Sequence, residues 1–135
     1  MNFELVNWPA VIIAVLAMFV IGGAWYSPAL FGRAWKRANG FTETDLKGRN
    51  MAVVFGGSFV LCLLMAANLA VFLADAKTDV MWGVMAGSLA GLGWAAFSLA
   101  VIALFEKRPA AYILVNGGYL VVGFVAMGAI VGAWR

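Results

Sequence analysis

VMWGVMAGSLAGLGWAAFSLAVIALF, residues 80–105, holds no Asp, Glu, Lys, Arg or His. As a helix rising 1.5 Å per residue it exceeds the ~20 residues that cross a ~30 Å hydrocarbon core. The same is true of residues 5–32, 50–74 and 109–134. All nine basic and six acidic side chains fall between or beyond these windows. One such window would fit a buried helix of a soluble protein; four would not. Composition agrees, with 65% hydrophobic and 11% charged residues, where soluble domains run nearer half and a quarter. A soluble domain of 135 residues has too little interior to hide that much apolar surface.

The expected fold class is therefore an all-α membrane protein. It is a four-transmembrane-helix bundle in a single domain, residues 1–135. The spans are expected near Pro9–Trp25, Met51–Ala74, Met81–Phe105 and Ala110–Trp134. Trp8, Trp25, Trp35, Trp82, Trp134 and Tyr112 fall near the expected span ends, as an aromatic belt does. The first apolar run carries Glu4 and no basic residue ahead of it. It does not read as a cleaved secretory leader.

Loops one and three carry Arg33, Lys36, Arg37, Lys47, Arg49, Lys107 and Arg108, against Lys77 and Arg135 on the other side. Basic residues in short loops stay in the cytoplasm. Loops one and three are thus expected inside and both termini outside. The positive balance is this orientation signal and calls for no nucleic acid; anionic lipid headgroups are its natural partners.

Loop one is long and has its own grammar. Ser27-Pro28 reads as an N-cap followed by proline at the first helical position. Leu30, Phe31, Ala34, Trp35 and Ala38 recur at helical spacing, with Arg33, Lys36 and Arg37 on the other face. Asn39-Gly40 reads as a stop. This predicts a short amphipathic interfacial helix over residues 28–39. Thr42 and Asp45 then make a capping-box variant, and the helix they start is expected to run unbroken into span two. The basic face serves orientation and headgroup contact on the plain reading, and docks a lipid or a partner on the sharper one.

The run Gly22-Gly23-Ala24-Trp25-Tyr26-Ser27-Pro28-Ala29-Leu30-Phe31-Gly32-Arg33-Ala34-Trp35, with the later Asn116-Gly117-Gly118-Tyr119, resembles the signature of domain-of-unknown-function family 1761. The resemblance implies a bacterial or archaeal four-span protein of the cytoplasmic (inner) membrane, and implies no activity. Physically, Trp25, Tyr26, Phe31, Arg33, Trp35, Lys36 and Arg37 read as interface anchors, and Gly32 as a place of close backbone approach.

Inside lipid, small residues and buried hydrogen bonds hold helices together. Gly83, Gly87, Gly91 and Ala95 make a stripe at four-residue spacing, a face for packing within the chain or against a second protomer. Ser58, Ser98 and Asn116 lie at one depth, and Asn68 and Ser88 at another, so each set is expected to hydrogen-bond across helices. The same polar layer, with mid-span Trp94, is a candidate ligand pocket. Gly23-Ala24-Trp25 and Gly93-Trp94-Ala95 hint at a duplication with a two-fold axis along the membrane normal.

The sequence argues against most chemistry. There is no histidine, which removes the usual bases, metal ligands and triads. No carboxylate or amine lies within a span, where proton- or ion-coupled transport needs one. Cys62 is the lone cysteine and packs as a small apolar residue. No catalytic residue, cofactor or metal site is expected. The expected function is a non-enzymatic membrane protein that self-associates or binds lipid or another membrane protein. The alternative is an uncoupled carrier or channel for a small neutral or apolar molecule.

Overall fold

The computed structural model describes residues 1–134; Arg135, one of the two basic residues expected on the outer side, lies outside the described residues. Four helices are long and apolar enough to cross a membrane. Span one is Trp8–Trp25, span two Met51–Phe72, span three Val80–Phe105 and span four Ala110–Ala133. The described residues hold no strand. Buried positions make up only 17–28% of each span's apolar window, so most of every helix surface faces outward. That suits lipid as solvent.

Local signals start the spans. Asn7 Oδ1 accepts the Ala10 N–H, with Pro9 in the first turn. Asn50 Oδ1 accepts the Ala52 and Val53 N–H groups. Asp79 Oδ1 accepts the Trp82 N–H at 2.8 Å. Each satisfies amides that the helix itself leaves without partners.

The spans do not close into a ring. Span four is central, with spans one and three on either side of it. Span two packs mainly on span one, and spans two and three share no extensive contact. The order is two, one, four, three. A two-fold axis along the membrane normal would pair three with two as it pairs one with four. The packing lacks that pair, so the hinted duplication is not reflected in the fold.

Spans three and four form the tightest seam. A methyl added to Gly83 would strike the Gly128 carbonyl oxygen, and one on Gly128 would strike that of Gly83. Gly87 meets the Phe124 carbonyl oxygen, and Gly132 that of Asp79. Glycine here admits backbone against backbone, where dispersion is greatest. Leu89–Ala96 is a π-helical segment, in which each turn takes up extra chain. After Gly83, Gly87 and Gly91 the next buried position is therefore Ala96, while Ala95 is only half-buried. A methyl on Gly117 would rest 3.6 Å from the Ala96 side chain, so Ala96 and not Ala95 continues the stripe.

The core lies toward the end that holds the termini and loop two. Val11, Ala14 and Val15 of span one meet Ala66, Leu69 and Met127 there. Met18 fills the notch at Gly123. The Asn2 N–H donates to the Ala74 carbonyl at 2.7 Å, and Asn7 Nδ2 to the Trp134 carbonyl at 3.2 Å.

Loop one departs from its expected course twice. The interfacial helix is Gly32–Asn39, starting four residues after Pro28. Ser27 Oγ donates to the Ala24 carbonyl at 2.7 Å, so the serine closes span one instead of capping a new helix. The Ser27 carbonyl accepts the Leu30 and Gly32 N–H groups, making a turn where helix was expected. Only glycine fits at position 32, since a methyl would strike the Tyr26 carbonyl oxygen. Gly40 closes the helix with a left-handed φ of 68°. The Thr42–Asp45 capping box does form. The Thr42 N–H and hydroxyl hold the Asp45 carboxyl below its usual pKa. Its helix is only Glu43–Lys47. Gly48 interrupts it and Asn50 caps span two afresh, so it does not run on into span two.

Candidate functional site

The two stretches singled out in the sequence meet in space at the basic end. Trp25 Nε1 donates to the Val115 carbonyl at 2.8 Å. Tyr26 Oη donates to Asn116 Oδ1 at 2.7 Å. Tyr119 stacks edge-on against Tyr26 with ring centres 5.3 Å apart. Gly22 and Gly118 make this fit. A methyl on Gly22 would lie 3.3 Å from the Tyr119 ring, and one on Gly118 2.8 Å from the Trp25 ring. The motif at the end of span one is thus a fastener onto span four.

Trp25 and Tyr26 are half-buried and point into the protein, which corrects their reading as belt anchors. Their polar tips reach an acceptor one helix away, and a pair of such bonds contributes about 0.6–2 kcal/mol each. Phe31 packs on Trp25 at 4.6 Å. Trp35 packs on Tyr26 at 5.8 Å and on Phe41 at 5.3 Å. The interfacial helix therefore docks on protein, against span four. Arg33 and Arg37 face outward, and Lys36 pairs with Glu43 at 2.6 Å.

Behind this fastener the bundle opens. Residues 51–61 of span two are exposed or half-buried throughout. Gly23, Gly56 and Gly57 have no neighbour within 4 Å of an added methyl. The separation leaves a cleft of about 520 Å³ between spans one, two and four. Phe19, Gly23 and Tyr119 line one side, and Val54, Ser58 and Cys62 the other. Arg49 stands with Met51 at its mouth. From Met51 to Cys62 the wall runs about 16 Å at 1.5 Å per residue. That is roughly half of a ~30 Å hydrocarbon core, the depth of one leaflet.

Tyr26, Trp35 and Tyr119 also wall a second cavity of about 360 Å³, toward Asn39, Leu99 and Asn116. A groove of about 800 Å³ lies between spans two and three, floored by Phe124.

The candidate polar layer does not assemble. Ser58 lies in the cleft, Asn116 bonds Tyr26, and Ser98 is exposed. Ser88 turns back to its own helix, donating to the Val84 carbonyl at 2.8 Å. Asn68 and Trp94 line the groove. Trp94 is 77% exposed, so it stands at the open side of that groove and not in an enclosed pocket. The open order of spans contributes: two and three do not pack side by side along their length. Gly83, Gly87 and Gly91 lie inside the chain's own seam.

Arg49, Tyr119 and Gly22 carry the cleft, and sequence reasoning did not assign them to it. Arg49 stands immediately before the N-cap of span two, a position that puts a guanidinium at headgroup depth. That spacing was the available signal.

The family model described as Protein of unknown function (DUF1761) matches residues 9–132, and the chain belongs to that family. No curated protein and no solved structure matches it.

Proposed function

We propose that this DUF1761 protein is a non-enzymatic lipid-binding protein of a prokaryotic cytoplasmic membrane, with loops one and three inside. The observation that carries the reading is the one-leaflet cleft between spans one, two and four. It has the size of a small-ligand site, an apolar interior and a cation at headgroup level. Seven of nine basic residues at one end support the orientation. The absence of histidine and of charge within the spans supports a role without catalysis. The glycine stripe lies within the chain, so self-association or a partner subunit would use another face.

A phospholipid with a photoreactive group in its acyl chain tests this in reconstituted protein. Labelling is expected on Tyr119 and Ser58, and a Gly23→Leu variant should reduce it several-fold by filling the cleft. Labelling spread evenly over outward residues such as Leu104 and Phe105, and unchanged by Gly23→Leu, would overturn it.

The second reading is an uncoupled carrier for a small apolar molecule. The shared wall of Tyr26, Trp35 and Tyr119 between two cavities favours it.

A further inference from the structure

We infer that the cleft selects an anionic phospholipid of the leaflet at the basic end, its phosphate on Arg49 and one acyl chain between spans one and two. This rests on the lipid-binding reading and names its ligand class.

Arg49 is prepared for a phosphate. Its Nε donates to the Leu46 carbonyl at 3.1 Å, which orients the guanidinium and leaves the terminal NH₂ groups free. Among the described residues it pairs with no carboxylate. An oriented guanidinium offers paired donors that match phosphate geometry.

The surroundings favour a head with net negative charge. The basic end carries seven cations against Glu43, Asp45 and Glu106. Each of those carboxylates is occupied. Glu43 holds Lys36 at 2.6 Å, Glu106 holds Arg108 at 3.3 Å, and Asp45 holds the Thr42 N–H at 2.8 Å. No carboxylate lines the cleft. The ammonium of a zwitterionic head would find no counter-charge there, whereas an uncharged glycerol head would meet no repulsion.

The interior suits the rest of such a molecule. Phe19, Val54 and Phe55 face a chain with apolar surface. Tyr119 and Ser58 line the same space, and their side chains make no hydrogen bond within the described chain. Their hydroxyls are free to donate to ester carbonyls, which sit just below a phospholipid's phosphate.

The test is native mass spectrometry of the full chain released from nanodiscs of equal parts phosphatidylglycerol and phosphatidylethanolamine. Wild type is expected to retain phosphatidylglycerol in preference. Arg49→Gln should cut that retention by about tenfold, the scale of one charge-assisted hydrogen bond. Arg49→Lys should fall between them. Lys107→Gln with Arg108→Gln removes two charges, against one for Arg49→Gln, away from the cleft and should change nothing.

Equal retention of both lipids overturns the inference, as does an unaffected Arg49→Gln. An equal loss in the Lys107/Arg108 variant also overturns it, since diffuse charge then suffices. Displacement by excess inorganic phosphate would show a free-anion site and overturn the lipid assignment. Gly23→Leu separates the two levels. If it loses lipid while Arg49→Gln does not, lipid binding stands and head selection fails. If it retains lipid as wild type does, the lipid-binding reading fails with it. Arg49 is exposed and Gly23 has open space beside it, so both variants should fold.

Discussion

Glycine does opposite work in the two halves of this molecule. Along spans three and four, Gly83 and Gly128 face each other so closely that neither admits a methyl group. Along the basic halves of spans one and two, Gly23, Gly56 and Gly57 face nothing within 4 Å. Span two is as apolar as span three, with a hydropathy of 2.1 against 2.0. Small residues therefore mark a seam only where a second backbone arrives. Elsewhere they thin a helix and leave room beside it. In lipid, where apolar area alone drives no association, that difference decides which pairs hold and which stay apart.

The sharpest way to break this contrast is a matched pair. Gly83→Leu is expected to cost about 3 kcal/mol or more, because the backbones must separate. Gly57→Leu should stay within about 0.5 kcal/mol of wild type. Unfolding in mixed micelles measures both, and equal losses would mean that the seam between spans three and four is no tighter than the open side of span two.

A smaller effect sharpens the register of the seam. Ala96→Leu should cost about 1–3 kcal/mol and Ala95→Leu less than about 1 kcal/mol. The reverse order would restore regular four-residue spacing and remove the π segment from the account. Smallest are the fasteners. Trp25→Phe and Tyr26→Phe should each cost about 0.6–2 kcal/mol. A double-mutant cycle of Tyr26→Phe with Asn116→Ala should show coupling between the two. Zero coupling would mean that the hydroxyl contributes nothing across the helices.

Charge segregation made the four spans legible, because lipid tolerates so few exceptions. Local chemistry likewise made the Thr42–Asp45 box and the Gly40 stop legible, since their partners lie within a few residues. What stayed hidden is long-range. Nothing in LAGLGWAA says that Leu89–Ala96 will turn as a π-helix; the need to seat Ala96 on Gly117 arises only once span four is in place. The open order of spans was hidden for the same reason. With it went the fate of Ser58, Ser98 and Asn116, which equal depth alone could not bring together. Trp25 and Tyr26 read as belt residues in the sequence because position near a span end does not reveal an acceptor on another helix.

The hydrogen bonds of Trp25 and Tyr26 join residues 90 positions apart. That has a consequence for biosynthesis. At ~5–20 residues per second, Trp25 leaves the ribosome about 5–18 s before Val115 does. Span one enters the bilayer first and waits longest for its partner. During that interval its indole and phenol can rest at the headgroup boundary, where such side chains are stable. The belt position that Trp25 and Tyr26 give up in the finished protein is then where they wait, and docking of span four releases them from it.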